Sequence, residues 1–220
     1  MALTFPLALA DFLDLLPVAR SPFDPGEALQ MDETSGGELV TSANGERLWS
    51  GQLVLDGLTY AEAAQATALL SFVRAPGRPF LVTDLRRRGP AADPWGTILG
   101  AATPVISGVQ TGGRELRIDG LPAGYVLSRG DYLGFGYGPS SGRRALHQVV
   151  TGGAASGAGL SPWLEVVPEL RAGWAVAAPV TLVRPACKAL YVPGSWSPGE
   201  SARGTVTGMS IRFMQTLVAG

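Results

Sequence analysis

The residues that could take part in chemistry are few, and the first of them is the single histidine, His147. An imidazole is the side chain best suited to proton transfer near neutral pH, so a Ser-His-Asp triad built on His147 is formally conceivable. His147 lies in the run "RRALHQVVT", whose pattern is typical of a strand, and an isolated strand histidine is most often structural. We therefore predict no catalytic residue and no enzymatic activity, with a hydrolase that uses His147 as the alternative.

Metal-binding and nucleotide-binding motifs are also lacking. Cys187 is the only cysteine, so the chain has no C-x-x-C pair and no intramolecular disulfide. The carboxylates in the first forty residues do not follow the regular spacing of a calcium-binding loop. The "GFGYG" segment, residues 134–138, precedes another strand-like run, whereas a phosphate-binding loop precedes a helix. We predict no metal ion and no cofactor.

The third candidate is a run of three arginines in "RPFLVTDLRRRGP", residues 78–90. A formal net charge of -1 argues against a surface that binds nucleic acid as a whole, because phosphate binding needs clustered, uncompensated cations. If the run lies at the end of a strand, only Arg86 and Arg88 share a face. We expect Arg86 and Arg88 to lie at a subunit interface and to pair with carboxylates of a neighbour. A solvated strand end is the alternative.

Composition places these candidates in a compact globular protein. Hydrophobic residues make up 46% of the 220-residue chain and charged residues only 16%, from which we also expect surface buried between subunits. The N-terminal segment "MALTFPLALADFLDLLPVAR" is apolar, but prolines and aspartates interrupt it, and it lacks a positively charged start. We expect a soluble protein without a membrane anchor.

The first hundred residues predict an α+β unit. Asn44 and Gly45 separate two strand-like runs, and this pair is typical of a type I′ hairpin turn. On the second run, Trp49, Leu53 and Leu55 recur at a period of two, so we expect them on one face. A helix over about residues 60–74 should follow.

The capping residues are the strongest local signal for that helix. Thr59 and Glu62 have the spacing of a capping box, in which each side chain binds the other residue's backbone N–H. Pro76 and Gly77 are expected to end the helix, and the apolar run before the arginines predicts a strand. Residues 1–102 therefore form the first expected domain.

The remaining sequence predicts short strands separated by glycine and proline. Residues 103–188 have the spacing of a small β-barrel or β-sandwich. The segment "TGGAASGAG", residues 151–159, is polar and glycine-rich, so we expect a mobile hairpin tip. Residues 189–220 contain a final alternating strand that we expect to return to the first domain. The predicted fold class is mainly β (α+β).

The order of these elements resembles a family of viral structural proteins. The segments "GERLWSGQLVL", "LTYAEAAQATALLSFVR", "GRPFLVTDLRRRGP", "RIDGLPAGYVLSRGDYLGFG" and "LEVVPELRAGWAVAAPVTLVRP" resemble distal tail proteins of long-tailed (siphovirus-type) bacteriophages. The resemblance covers most of residues 38–186. It implies a β-sandwich or split-barrel ring domain with one helix, followed by a smaller β-barrel or β-sandwich domain.

The resemblance also implies a place in the virion. Such proteins form a ring, usually a hexamer, that connects the tail tube protein to the baseplate hub or the tail fibre. DNA passes through the lumen of the ring without specific binding. The expected location is therefore the phage tail tip, and the host cytoplasm during assembly.

A carbohydrate-binding β-sandwich module for host-surface recognition is the alternative function. The same strand-rich pattern is compatible with it, because fold alone does not determine function. In that case Tyr132, Trp163 and Trp174 would be the glycan contacts, since aromatic rings stack on sugars.

Overall fold

Residues 3–138 and 142–218 are described by a computed structural model of the chain. Within them the fold is mainly β, with 41% strand, 9% helix and a single α-helix, which confirms the predicted fold class. The elements are two 3-10 turns (Leu9–Asp11 and Leu13–Leu15), β1 (Val18–Arg20), β2 (Phe23–Pro25), β3 (Leu29–Glu33), β4 (Leu39–Ala43), β5 (Trp49–Leu55), β6 (Leu58–Thr59), α1 (Tyr60–Val73), β7 (Phe80–Val82), β8 (Val105–Val109), β9 (Glu115–Asp119), β10 (Val126–Leu127), β11 (Tyr132–Tyr137), β12 (Arg143–Thr151), β13 (Gly153–Ala154), β14 (Leu164–Val167), β15 (Val180–Thr181), β16 (Cys187–Tyr191), β17 (Ser197–Ala202) and β18 (Thr205–Gln215).

The first sheet is built around β5 and β18. Its strand order is β1-β5-β18-β16-β7, and the short strands β2, β6 and β17 pair with β5 or β18. The last strand of the chain therefore pairs antiparallel with β5, with Ile211 opposite Leu53. The predicted shared face of β5 is confirmed, because Trp49, Leu53 and Leu55 are all buried.

Helix α1 packs its alanine-rich face against this sheet. Its buried residues, Ala63, Ala66, Leu70 and Val73, belong to the same apolar cluster as β5 and β18. The predicted capping box is confirmed, since Thr59 accepts the backbone N–H of Glu62 and the Glu62 carboxylate accepts that of Thr59. These bonds satisfy donors that a free helix start would leave unpaired.

The predicted hairpin between β4 and β5 is wrong. β4 pairs with β3 instead, and β5 pairs with β1, β2 and β18. A type I′ turn needs positive φ at both central residues, and here only Gly45 has it, at 140°. β3 and β4 form a separate two-stranded ribbon, which we call the β3–β4 arm (residues 29–43).

The second sheet has the strand order β15-β11-β12-β14-β9-β8. Its outer strands approach each other through an isolated bridge between Val105 and Pro179, but the ladders of the described residues do not close a barrel. Within the glycine-rich residues 151–159, predicted as a mobile tip, β13 pairs with β10 in a separate two-stranded sheet, and Ala155 and Gly159 are buried. A Cβ at Gly152 would lie 2.0 Å from the Leu127 carbonyl oxygen, so glycine serves close packing there.

Two apolar clusters form the core of the described residues. The second core lies within the second sheet, around Ile106, Leu116 and Leu133, and the other cluster is shared by the two sheets around Trp49. The cluster that buries Trp49 also contains Tyr132 from β11 and Leu146 from β12. The indole Nε1–H of Trp49 donates to the Leu146 carbonyl at 2.7 Å. Gln215 at the end of β18 accepts the Trp49 backbone N–H and donates to the Arg144 carbonyl. These bonds connect the centre of the first sheet to β12 of the second.

We predict that Trp49→Phe lowers the free energy of unfolding by about 2 kcal/mol, because the buried Leu146 carbonyl loses its donor and the smaller ring leaves a gap. Chemical denaturation followed by circular dichroism measures the change. Trp163→Phe is the matched control, since Trp163, just before β14, is partly exposed, and its loss should change stability by less than half as much. Equal losses in the two variants would contradict a special role for Trp49.

Candidate functional site

The arginine run lies in a loop rather than on a strand. β7 ends at Val82, and the chain then turns through residues 83–95. The expectation that Arg86 and Arg88 share one face of a strand end is therefore wrong, because side-chain alternation holds only for extended strands. Each of the three arginines has a different partner.

Arg86 is held by the carboxylate of Asp84. Its guanidinium Nε and Nη2 donate to Asp84 at 2.9 and 2.8 Å, and Nη2 also donates to the Phe23 carbonyl. The hydroxyl of Tyr132 donates to the same carboxylate at 3.0 Å. Burial alone would raise the pKa of Asp84, but the donors from Arg86 and Tyr132 outweigh it and lower that pKa.

Arg87 pairs with Asp131, whose side chain is wholly buried. Its Nη1 lies 3.3 Å from Asp131 Oδ1, which also accepts the backbone N–H of Ala91 at 2.8 Å. The other carboxylate oxygen accepts the N–H of Ser128 at 2.7 Å. Asp131 therefore fastens the loop of the first sheet to the turn before β11. The sequence Arg129-Gly-Asp is part of this structural turn.

Arg88 has no carboxylate partner among the described residues. Its guanidinium carbon instead lies 4.5 Å from the ring centroid of Trp95, in a cation–π contact. Both side chains line an open groove of about 510 Å³. The other residues that line the groove are Asp14, Thr83, Asp84, Leu85, Pro94 and Arg184.

The groove combines one uncompensated cation with exposed apolar surface. The Arg184 guanidinium pairs with Asp14, and Asp84 pairs with Arg86, so both groove carboxylates are neutralised. Trp95 is 71% exposed and Leu85 is 44% exposed. A surface of this kind suits a protein partner that presents apolar side chains and a carboxylate.

Sequence reasoning did not single out Trp95. The residue stands in "ADPWGT", where a tryptophan between proline and glycine in a short loop is an available signal of exposure. Its turn is held by Asp93, whose buried carboxylate accepts the Leu99 N–H at 2.8 Å and the Tyr125 hydroxyl at 3.3 Å. The tryptophan is thus presented on a fixed backbone.

The three residues predicted to contact glycans lie away from this groove. Tyr132 is only 5% exposed, so the prediction that its ring stacks on a sugar is wrong. Its hydroxyl is used by Asp84, and its ring packs in the shared core. Trp163 is partly exposed beneath the guanidinium of Arg117, and Trp174 packs against the second core. None of the three lines the groove.

His147 is buried in β12. Its Nδ1 lies 2.6 Å from the Pro168 carbonyl oxygen, and its ring stacks on Phe135 with a centroid distance of 5.5 Å. Burial lowers the pKa of His147 to about 4. A "GPSSG" segment at 138–142 matches G-x-S-x-G, but it connects two paired strands, and its serines lie outside the described residues.

No group of three or more metal-binding side chains is close enough to hold an ion in the described parts of the chain. In residues 3–138 and 142–218 no helix is long and apolar enough to cross a membrane. No protein-family model matches the sequence, and no curated protein matches it. The absence of a cofactor and of catalysis stays a prediction.

The buried imidazole predicts a pH-dependent stability. Because folding depresses the pKa of His147 from 6.5 to about 4, the folded state prefers the neutral ring, and its stability is full above pH 6.5 and is lost as the pH falls toward 4. We expect the free energy of unfolding to fall by on the order of 3 kcal/mol across this interval. Urea titrations at several pH values measure it.

His147→Gln is the control for this dependence of the free energy of unfolding on pH. Glutamine does not titrate, so the variant should lose most of the pH dependence between 6.5 and 4, whatever its stability at pH 7. An unchanged slope in this variant would show that another group causes the loss.

Asp131→Asn tests the fastening of the loop. The amide keeps one acceptor oxygen but places a donor against backbone N–H groups, and Arg87 loses its charge partner. We expect a loss of about 3 kcal/mol in the free energy of unfolding. Asp32→Asn, on the exposed β3–β4 arm, is the matched control and should be nearly neutral. A neutral Asp131→Asn would contradict the assigned role.

Proposed function

We propose that this chain is a structural protein of a bacteriophage tail, a distal tail protein that assembles into a ring between the tail tube and the baseplate hub or central fibre. The observation that supports it is the β3–β4 arm, a ribbon whose apolar face has no partner among the described residues. The likeness of the sequence segments to distal tail proteins supplies the biological setting. The proposal is tested by measuring whether the purified chain assembles into oligomers.

The arm is exposed along its whole length. All five residues of β3 and all five of β4 are exposed, and within residues 3–138 and 142–218 the two strands pair only with each other. Residues opposite each other in an antiparallel pair lie on the same face. The register therefore places Leu29 and Met31 on one face with Leu39, which stands opposite Glu33.

This apolar face is costly in an isolated chain. Leu29, Met31 and Leu39 are 55–60% exposed. A free two-stranded ribbon is only marginally stable in water. Full burial of one such side chain contributes roughly 1.5–3 kcal/mol, so docking on another subunit would stabilise both the ribbon and the assembly.

The negative charges of the arm favour a partner surface that is not itself acidic. Asp32, Glu33 and Glu38 lie within residues 29–43, and no lysine or arginine does. Two arms that paired edge to edge would bring these carboxylates together, which is unfavourable. A contact between the arm of one copy and a different surface of the next copy avoids this repulsion. Such a head-to-tail contact generates a ring when its rotation closes.

The near-zero net charge of the chain is also consistent with the proposed ring. Its outer faces would contact the tail tube protein on one side and hub or fibre proteins on the other. DNA would pass through the lumen without specific binding, in keeping with a net charge of -1. The proposed ring stoichiometry is six, from the likeness to distal tail proteins.

The test introduces charge on the apolar face of the arm. We expect the purified protein to form closed rings in negative-stain images and a single oligomer in size-exclusion chromatography with light scattering. Leu29→Asp with Met31→Asp should give a folded monomer, because carboxylates cannot be buried without partners.

Gln30→Asp alone is the control. It adds a carboxylate to the same strand, on the face opposite Leu29 and Met31, so assembly should persist. A wild-type protein that stays monomeric at every concentration would overturn the proposal. Assembly that survives the Leu29 and Met31 substitutions would remove the arm as its basis.

A further inference from the structure

We infer that the β3–β4 arm of one copy docks in the groove beside Arg88 and Trp95 of the next copy, with Glu33 paired to Arg88. This inference rests on the proposed assembly and names the surface that receives the arm. The occupant is therefore a second copy of this chain.

The two surfaces match in kind. The groove presents the uncompensated guanidinium of Arg88 next to the exposed apolar side chains of Leu85 and Trp95. The arm presents the Glu33 carboxylate on the same face as Leu29 and Met31. One cation beside apolar groups thus meets one anion beside apolar groups.

The other charges of the groove do not oppose this contact. Asp14 and Asp84 would repel an acidic arm if they were free. Each is instead held by an arginine of its own chain, Arg184 and Arg86 respectively. Arg88 is then the charge left to bind a carboxylate, and a pair of this kind fixes orientation and register more than it adds affinity.

The groove is also shaped to receive an apolar ribbon. The Arg88 guanidinium covers one face of the Trp95 ring, yet Trp95 remains 71% exposed, so its other face is open. Alternate residues of β3 lie about 6.6 Å apart, which allows two successive apolar side chains and Glu33 to lie along one groove.

A chain does not fill its own groove. The apolar face of the arm and the ring of Trp95 are both exposed in the single chain, so they are not packed on each other. The two surfaces also differ, so each copy offers one arm and one groove. The contact is head-to-tail, and successive copies can continue it around a ring.

The decisive experiment mixes two variants that each lack one half of the contact. The arm variant is Leu29→Asp with Met31→Asp, and the groove variant is Arg88→Glu with Trp95→Ala. Each should be a folded monomer alone. Mixed, they should form a 1:1 dimer and nothing larger, because only one intact arm and one intact groove remain. Light scattering after size-exclusion chromatography distinguishes these masses.

Charge exchange tests the ion pair itself. Arg88→Glu alone and Glu33→Arg alone should each weaken association on the order of tenfold or more. The two changes combined in one chain should restore rings. Arg203→Glu is the matched control, since Arg203 is an exposed arginine outside the groove and should leave assembly unchanged.

The possible failures can be told apart. If the groove variant assembles while the arm variant does not, the assembly stands and the arm docks elsewhere, which overturns this inference. If the arm variant also assembles, the basis of the proposed function fails as well. If the mixture gives no dimer although both variants are folded by circular dichroism, the head-to-tail contact is wrong.

Discussion

The buried carboxylate of Asp131 is the interaction on which the groove depends. It stands just before β11, and its own carbonyl accepts the Val149 N–H at 2.8 Å, so the second sheet fixes its position. Its carboxylate binds Arg87 and the backbone N–H of Ala91 in the loop that follows β7 of the first sheet. A carboxylate at this depth would be costly without those donors. These bonds hold the loop to the second sheet, although the loop has no regular structure.

The same reasoning connects the groove to both sheets. Asp84 follows β7 of the first sheet and binds the hydroxyl of Tyr132, which begins β11 of the second. Behind them, Trp49 packs against Tyr132 and donates to the Leu146 carbonyl. The relative position of the two sheets thus sets the shape of the groove. A change in the shared core should alter the groove without touching any residue that lines it.

Local signals predicted their elements well, and signals that depend on distant partners did not. The capping box of Thr59 and Glu62 specifies the start of α1 through bonds between residues three apart, so the sequence was sufficient. The Asn44-Gly45 pair failed because other strands pair with β5: β1 and β2 on one side, and β18, more than 150 residues later, on the other. Tyr132 looked like an exposed aromatic because nothing in the sequence reveals its contact with Asp84.

The candidate site could be predicted only in part, because its contacts also depend on residues far apart in the sequence. The run of three arginines is evident in the sequence. That they contact Asp84, Asp131 and Trp95 respectively depends on the tertiary structure. Of the two arginines expected at an interface, Arg86 pairs with Asp84 of its own chain, whereas Arg88 contacts the ring of Trp95 and has no carboxylate partner among the described residues.

The acidic character of the arm then limits what that neighbour can be. An exposed ribbon with an apolar face tends to pair with any free strand edge, including a second arm. Its carboxylates oppose arm-to-arm pairing but not a contact with a lone cation beside apolar side chains. Docking between unlike surfaces leaves one arm and one groove free at the ends of every open chain of subunits. In the proposed assembly, closure into a ring would remove both free ends, so the contact that would drive growth would also favour a finite assembly.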